Sequence, residues 1–366
     1  MMLSWLCLLT VGHVLGYFVP LSPEEMEMGY QYQLPEELEF LDENIRPVEQ
    51  LEAEQVEDRV FEEELRIPGE KPTFNDTYLC SAFRQETPGY VINFEALADH
   101  HMIHHIILFG CDAPGVQVPV PAWNCGEMSP VADPSYLQAP PCANSPNIIY
   151  AWAKGAPELK LPEGVAFPIG PETKNQYLVL QVHYMHAMEK EDNSGLKIKL
   201  TDVPQPKTAA TLLTVTGGQL PPKAEETFEA ACVMNEPMEI HPFAFRVHTH
   251  KRGTKVAGWM VSENEKGQDE WFLIGERDPQ KEQLFETVKN TSMVIRPGDI
   301  VASRCYMSND EDRLISMGPT GADEMCNFYM MYWVEGDQTL AENTCYSPGA
   351  PDYRFSQQTG LTNIPN

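Results

Sequence analysis

Apolar and polar residues alternate with a period of two in many short runs of this chain, the pattern of half-buried β-strands. Between His241 and His250, Phe243, Phe245, Val247 and Thr249 predict a core-facing side, while Ala244, Arg246, His248 and His250 share the other. The run 177–184 divides likewise, with Leu178, Leu180, Val182 and Tyr184 opposite Val179, Gln181 and His183. Near the C-terminus, Met325, Asn327 and Tyr329 separate from Cys326, Phe328 and Met330. Further strands are predicted over 90–94, 106–109, 148–152, 196–200, 211–215, 244–250, 255–261, 271–275, 300–306 and 328–334, between breaks rich in Pro, Gly, Asn and Asp. Thirty-one prolines weigh against long helices. A break at Asp202-Val-Pro-Gln-Pro-Lys207 divides the strands into two sets. The expected fold is all-β, with two β-sandwich domains in tandem over 67–203 and 204–355 and a tail over 356–366.

The first 66 residues have another texture. Residues 1–16 are apolar, carry no Asp, Glu, Lys or Arg, and are too short for a membrane span, which predicts a signal peptide. No later stretch is apolar for long enough to predict a transmembrane helix. Residues 17–66 include sixteen acids against three arginines from Glu24 to Arg66. Such a segment buries too little apolar surface to offset its ordering entropy, so it is expected to be disordered or a pro-segment. Short helices at 36–43 and 49–65 are the local alternatives.

The net charge of −29 argues against nucleic acid or anionic membrane as partner. Of nine cysteines, Cys7 falls in the leader; the other eight are spread out, without a C-x-x-C pair. That pattern predicts a disulfide framework in an oxidising compartment, secreted or in a secretory-granule lumen, with pairings that sequence alone leaves open. Asn75-Asp-Thr and Asn290-Thr-Ser are glycosylation sequons.

Candidate chemistry lies in the histidines. His248 and His250 stand about 7 Å apart on a strand, near enough to share a metal, although a lone H-x-H is more often a solvated strand face. In the first half, Asp99-His-His-Met-Ile-His-His-Ile106 offers the pairs His100–His101 and His104–His105. Neighbours on a regular strand point to opposite faces, so either pair serves one metal only at a bend or a strand end. His183 supplies a third imidazole for His104 and His105; alone it would read as an ordinary core or edge histidine. Most of the seventeen methionines are core filler, but a thioether such as that of Met325, beside imidazoles, selects copper(I) over zinc.

Four segments together, His104-His-Ile-Ile-Leu-Phe-Gly-Cys111, Leu180-Gln-Val-His-Tyr184, Phe245-Arg-Val-His-Thr-His250 and Asp323-Glu-Met-Cys-Asn327, resemble the peptidylglycine α-hydroxylating monooxygenases, in order and approximate spacing from about Cys80 onward. The resemblance implies two jelly-roll-like domains, each with one copper, facing across a solvent-filled cleft. His104, His105 and His183 match the electron-transfer site; His248, His250 and Met325 match the catalytic site. It further implies two copper ions, ascorbate as electron donor, dioxygen as co-substrate, and hydroxylation of the α-carbon of a peptide's C-terminal glycine, the first step of peptide amidation. Arg246, Tyr329 and Asn327 match the positions that hold the substrate carboxylate, and Gln181 and Tyr78 match positions near the cleft. The implied disulfides are Cys80–Cys125, Cys111–Cys142, Cys232–Cys345 and Cys305–Cys326, the last bracing the strand that presents Met325.

The chain departs from the pattern at Asn193, where a further first-domain cysteine is common, and at Ile106, where methionine is common. A lyase domain is not recognised after the tail, so the expectation is a monomer that takes glycine-extended peptides and leaves cleavage to a separate lyase. The alternatives are a dopamine β-monooxygenase-like hydroxylase, whose substrate has no carboxylate to grip, and an inactive copper-binding module. A zinc hydrolase ranks last, since no H-E-x-x-H occurs.

Overall fold

The computed structural model describes residues 59–98, 102–126, 133–153, 155–318 and 322–366. The leader, most of the acidic segment and the pair His100–His101 lie outside the described residues. The first half contributes β1 (Val60–Arg66), β2 (Thr77–Arg84), β3 (Gly89–Leu97), β4 (Ile103–Cys111), β5 (Trp123–Asn124), β6 (Asn147–Ala153), β7 (Leu159–Lys160), β8 (Val165–Ile169), β9 (Tyr177–Tyr184) and β10 (Gly195–Thr201). After the proline-rich break come β11 (Lys207–Thr216), β12 (Gln219–Leu220), β13 (Ala224–Val233), β14 (His241–His248), β15 (Gly253–Glu263) and β16 (Asp269–Arg277). The chain then forms β17 (Glu286–Thr287), β18 (Ile300–Asn309), β19 (Ile315–Ser316), β20 (Asn327–Glu335), β21 (Thr344–Ser347) and one short helix, α1 (Phe355–Gln358). The described chain is all-β, as expected.

In the first half, the five-stranded sheet β5-β2-β9-β4-β6 packs against β1-β10-β3-β8. Leu178, Leu180, Val182 and Tyr184, the predicted inner face of β9, are all buried in the core between them. Val179 lies on the other side in a small core around Trp123 and two disulfides, Cys80–Cys125 and Cys111–Cys142. In the second half, β13-β18-β15-β16 faces β11-β20-β14-β17. Phe245 and Phe328 project from β14 and β20 into slots left by glycines on the facing strands: a Cβ on Gly258 would meet the Phe328 ring at 2.3 Å, and one on Gly275 the Phe245 ring at 2.4 Å. Cys232–Cys345 and Cys305–Cys326 complete the disulfides of the described residues, two in each half.

The halves share a sheet. Strand β8 pairs in parallel with β11, Val165 opposite Lys207 and Ala166 opposite Thr208, so the two four-strand layers run on as one. The first-half core accordingly also takes in Ala209, Phe243, Ala244, Phe285, Tyr329 and Met331.

Two expectations need correcting. Residues 60–66 are neither disordered nor helical; they form edge strand β1, paired along its length with β10 and anchored by the fully buried Leu65. Phe243 does not share a face with Phe245 and Val247. The register of β14 shifts between Pro242 and Ala244, and the extra residue turns Phe243 toward the first-half core, while Phe245 and Val247 stay in the second.

Candidate metal centres

The first histidine cluster is built on β4, β9 and β2. Cross-strand partners place Tyr78, His183 and His105 in one row, because Tyr78 pairs with His183 and His183 with His105. A register shift between Ile103 and His105 leaves His104 as an unpaired extra residue. That bulge breaks the alternation that would send neighbouring histidines to opposite faces. His104 and His105 therefore converge, with their Nδ1 atoms 3.3 Å apart. The donor nitrogens of His104, His105 and His183 all lie within 4.8 Å of one another, an arrangement that can hold a metal ion.

The surroundings select a protonation state. Tyr78 stacks on His183 at 4.0 Å between centroids. Asp76 Oδ1 lies 3.4 Å from His183 Nε2, while His183 Nδ1 is buried with no hydrogen-bond partner among the described residues. A buried nitrogen without a partner is costly in a protein alone, and a metal would satisfy it. Burial pushes His183 below the ordinary imidazole range against the opposing pull of Asp76. Burial first, then the neighbouring His183 and His104, push His105 well below it. Neutral imidazoles are the form that ligates metals.

The second cluster stands on β14 and β20, whose register sets Arg246 opposite Tyr329 and His248 opposite Asn327. Strand β14 ends at His248, so Thr249 and His250 belong to the following turn; the two imidazoles still meet, 5.4 Å apart and nearly perpendicular. Each ring is oriented through one nitrogen. His248 Nδ1 contacts Gln283 Oε1, and His250 Nδ1 donates to the Asp323 carbonyl at 3.0 Å. His250 Nε2 is then left buried and, among the described residues, unpartnered like the free nitrogen of His183. Burial, with Arg246 and His250 adding to it, pushes His248 well below the ordinary range.

Asn327 links the parts of this face. Its Nδ2 lies 3.1 Å from the Tyr329 hydroxyl and 3.8 Å from Met325 Sδ. Arg246 is buried, donates from Nε to the Gln283 carbonyl at 2.6 Å, and lies 4.9 Å from the Tyr329 ring centre. Among the described residues no carboxylate forms an ion pair with it, and burial lowers its pKa. A buried guanidinium without an anion is a ready receptor for one.

The clusters also sense each other. Charge on Arg246 and His248 disfavours protonation of His105, and charge on His104 disfavours that of His248.

Residues 63–191 match the copper type II ascorbate-dependent monooxygenase N-terminal domain, and residues 207–358 match the C-terminal domain of the same family. The chain belongs to the copper type II ascorbate-dependent monooxygenases. Peptidyl-glycine alpha-amidating monooxygenase A of Xenopus laevis is 36% identical over 311 residues, covering 82% of this chain and 31% of that one. Peptidylglycine alpha-amidating monooxygenase of Rattus norvegicus is 36% identical over 313 residues, covering 83% and 30%. Human dopamine beta-hydroxylase is 24% identical over 297 residues, covering 74% and 46%. This monooxygenase chain spans about a third of the length of the peptidylglycine relatives.

Sequence reasoning missed Asp76, Gln283 and Glu324 as residues of the two centres. Each is a polar residue on a loop, 107, 35 and 74 residues from the histidine it contacts. Gln181, singled out for its match, lies on β9 two residues before His183, its Nε2 3.5 Å from the Cys125 carbonyl.

Proposed function

We propose that the chain is a peptidylglycine monooxygenase that hydroxylates the α-carbon of a peptide's C-terminal glycine. His104, His105 and His183 hold one copper, and His248, His250 and Met325 hold the other. When bound, the two coppers supply redox chemistry toward dioxygen, with ascorbate as the source of electrons. The protein's share is to fix the substrate and the ligands. Arg246 takes the glycine carboxylate through its guanidinium, the Tyr329 hydroxyl donates to the same group, and Asn327 holds Tyr329 relative to Met325. Because Arg246 and His248 lie two residues apart on the same face of β14, gripping the carboxylate brings the adjacent α-carbon toward the metal-binding histidines. Gln283 serves both tasks, contacting Arg246 through its carbonyl and His248 through its side chain.

The observation that carries the reading is the buried guanidinium of Arg246, with no carboxylate partner among the described residues, in the row beside His248. A dopamine-like substrate has no carboxylate for it, which favours peptides over the small-molecule alternative. Four disulfides and the exposed Asn75 and Asn290 sequons fit secretion or a granule lumen. The test is ascorbate-dependent oxygen uptake by the copper-loaded protein, comparing a glycine-extended peptide with its amidated counterpart. Uptake that requires the free carboxylate supports the assignment. Two bound coppers without turnover would give the function to the inactive copper-binding reading.

A further inference from the structure

The motif Asp323-Glu-Met-Cys-Asn327 contains a carboxylate with no part in substrate or metal binding as proposed above. Glu324 is fully buried. Its Oε1 accepts from the backbone N–H of His250 and, at 3.0 Å, from that of Met325. Its Oε2 accepts from the N–H of Arg252 at 2.8 Å and lies 3.8 Å from Arg252 NH1. One side chain thus holds the amides of a histidine and the methionine assigned to the same copper, from segments 75 residues apart in sequence.

The local backbone explains the need. Strand β14 stops at His248 and β15 starts at Gly253, so the turn between them leaves N–H groups without ladder partners. Glu324 supplies acceptors for two of them. From the other side, Gln280 Nε2 donates to the carbonyls of His250 at 3.0 Å and Gly253 at 2.9 Å. Glu324 is itself fixed, since its N–H donates to the Ser316 carbonyl at 3.0 Å and its carbonyl accepts from Gly318 at 2.9 Å.

We infer that Glu324 is a positioning residue that clamps the His250 turn to the Met325 strand and so sets the mutual placement of imidazole and thioether at the second copper. The inference rests on the copper assignment above. In Glu324→Gln, an amide NH2 would face either the Arg252 N–H or the N–H groups of His250 and Met325, donor against donor, and the clamp would open on one side. In Glu324→Asp, the charge opposite Arg252 remains, but the shorter side chain cannot reach both segments at once.

The experiment titrates copper(I) against a competing chelator in wild type, E324Q, E324D and the control E229Q, and measures copper–sulfur scattering by X-ray absorption. Glu229 is an equally buried carboxylate of the same half, bonded to Arg304 at 2.7 Å and to the Ser356 N–H at 2.9 Å. Expected for both Glu324 variants is one copper bound as in wild type, the second weakened about 10–100-fold, and loss of the sulfur signal. In the copper-free protein, amide exchange at His250, Arg252 and Met325 should speed up. E229Q should lose thermal stability while keeping both coppers and the sulfur signal. Wild-type copper affinity and sulfur scattering in E324D would overturn the inference, as would loss of both coppers in parallel with thermal stability in E324D and E229Q alike. A wild-type protein with no second copper would instead refute the copper assignment, and this inference with it.

Discussion

Replacing Arg246 by Gln separates substrate grip from fold, because the two effects have opposite signs. The guanidinium is buried, anchored through Nε to the Gln283 carbonyl, and has no ion-pair partner among the described residues. A carboxylate entering the site would gain two charge-assisted hydrogen bonds, each contributing about 1.5–3 kcal/mol. Glutamine keeps one neutral bond at best, so the expected loss is about 3 kcal/mol, or a fall of roughly 100–200-fold in kcat/KM. The carboxylate is held equally in ground and transition states, so most of the change should be in KM. Without substrate, the variant escapes the desolvation of an unpaired cation and should melt no lower than wild type. The assay is ascorbate-driven hydroxylation of a glycine-extended peptide, with thermal melts run with and without that peptide. Peptide should raise the wild-type melting temperature and leave the variant's unchanged. An unaltered KM would refute the reasoning and move the carboxylate site elsewhere.

Met325→Ile should remove copper–sulfur scattering and turnover while shifting stability by less than about 1.5 kcal/mol, since a half-buried apolar side chain replaces another of similar volume; normal hydroxylation by this variant would sink the assignment of the second site. Gly258→Ala places a methyl against the Phe328 ring and should cost about 1–3 kcal/mol in a denaturant melt, with activity falling because β20 carries Asn327 and Tyr329; a neutral effect would mean that β15 and β20 separate freely. The copper-free protein should lose stability as pH falls below about 6.5. His105, His183 and His248 are all depressed by burial, so across that window the unfolded chain binds more protons than the folded one. Melting temperatures that stay flat or rise from about pH 7 down to pH 5.5 would contradict the burial of these rings.

Much of the fold could be read from hydrophobic alternation. Strand β9 has the bounds that its pattern predicts, and its two faces go to two different cores. The same reasoning failed at β1 because its pattern, Val-Phe-Glu-Glu-Glu-Leu-Arg, is that of an edge strand with one buried anchor, and composition hides it in the acidic segment. The candidate site was legible where its residues are adjacent in sequence, at His104–His105, His248-Thr-His250 and Met325-Cys-Asn327. It was not legible at Asp76, Gln283 and Glu324, whose part in the candidate centres depends on which ring or, for Glu324, which backbone amides a distant segment folds against.

The misread face of β14 and the bend expected at the β4 histidines have one cause, and it lies beside the candidate chemistry. Strands β4 and β14 each carry a register shift on the strand that bears candidate site residues, at Ile103/His105 and at Pro242/Ala244. One extra residue reverses which side chains share a face, so a strict period of two fails at these points. In β4 the shift lets two neighbouring imidazoles face the same way. In β14 it sends Phe243 into the first-half core while Arg246 and His248 keep their places opposite Tyr329 and Asn327. Regular alternation gives each strand one inward and one outward set. A site that needs adjacent histidines on one side, or a strand anchored in both cores at once, requires a break in that alternation. These two breaks adjoin the candidate centres, while others, at Lys199/Leu200 and Gly258/Trp259, serve the sheets elsewhere.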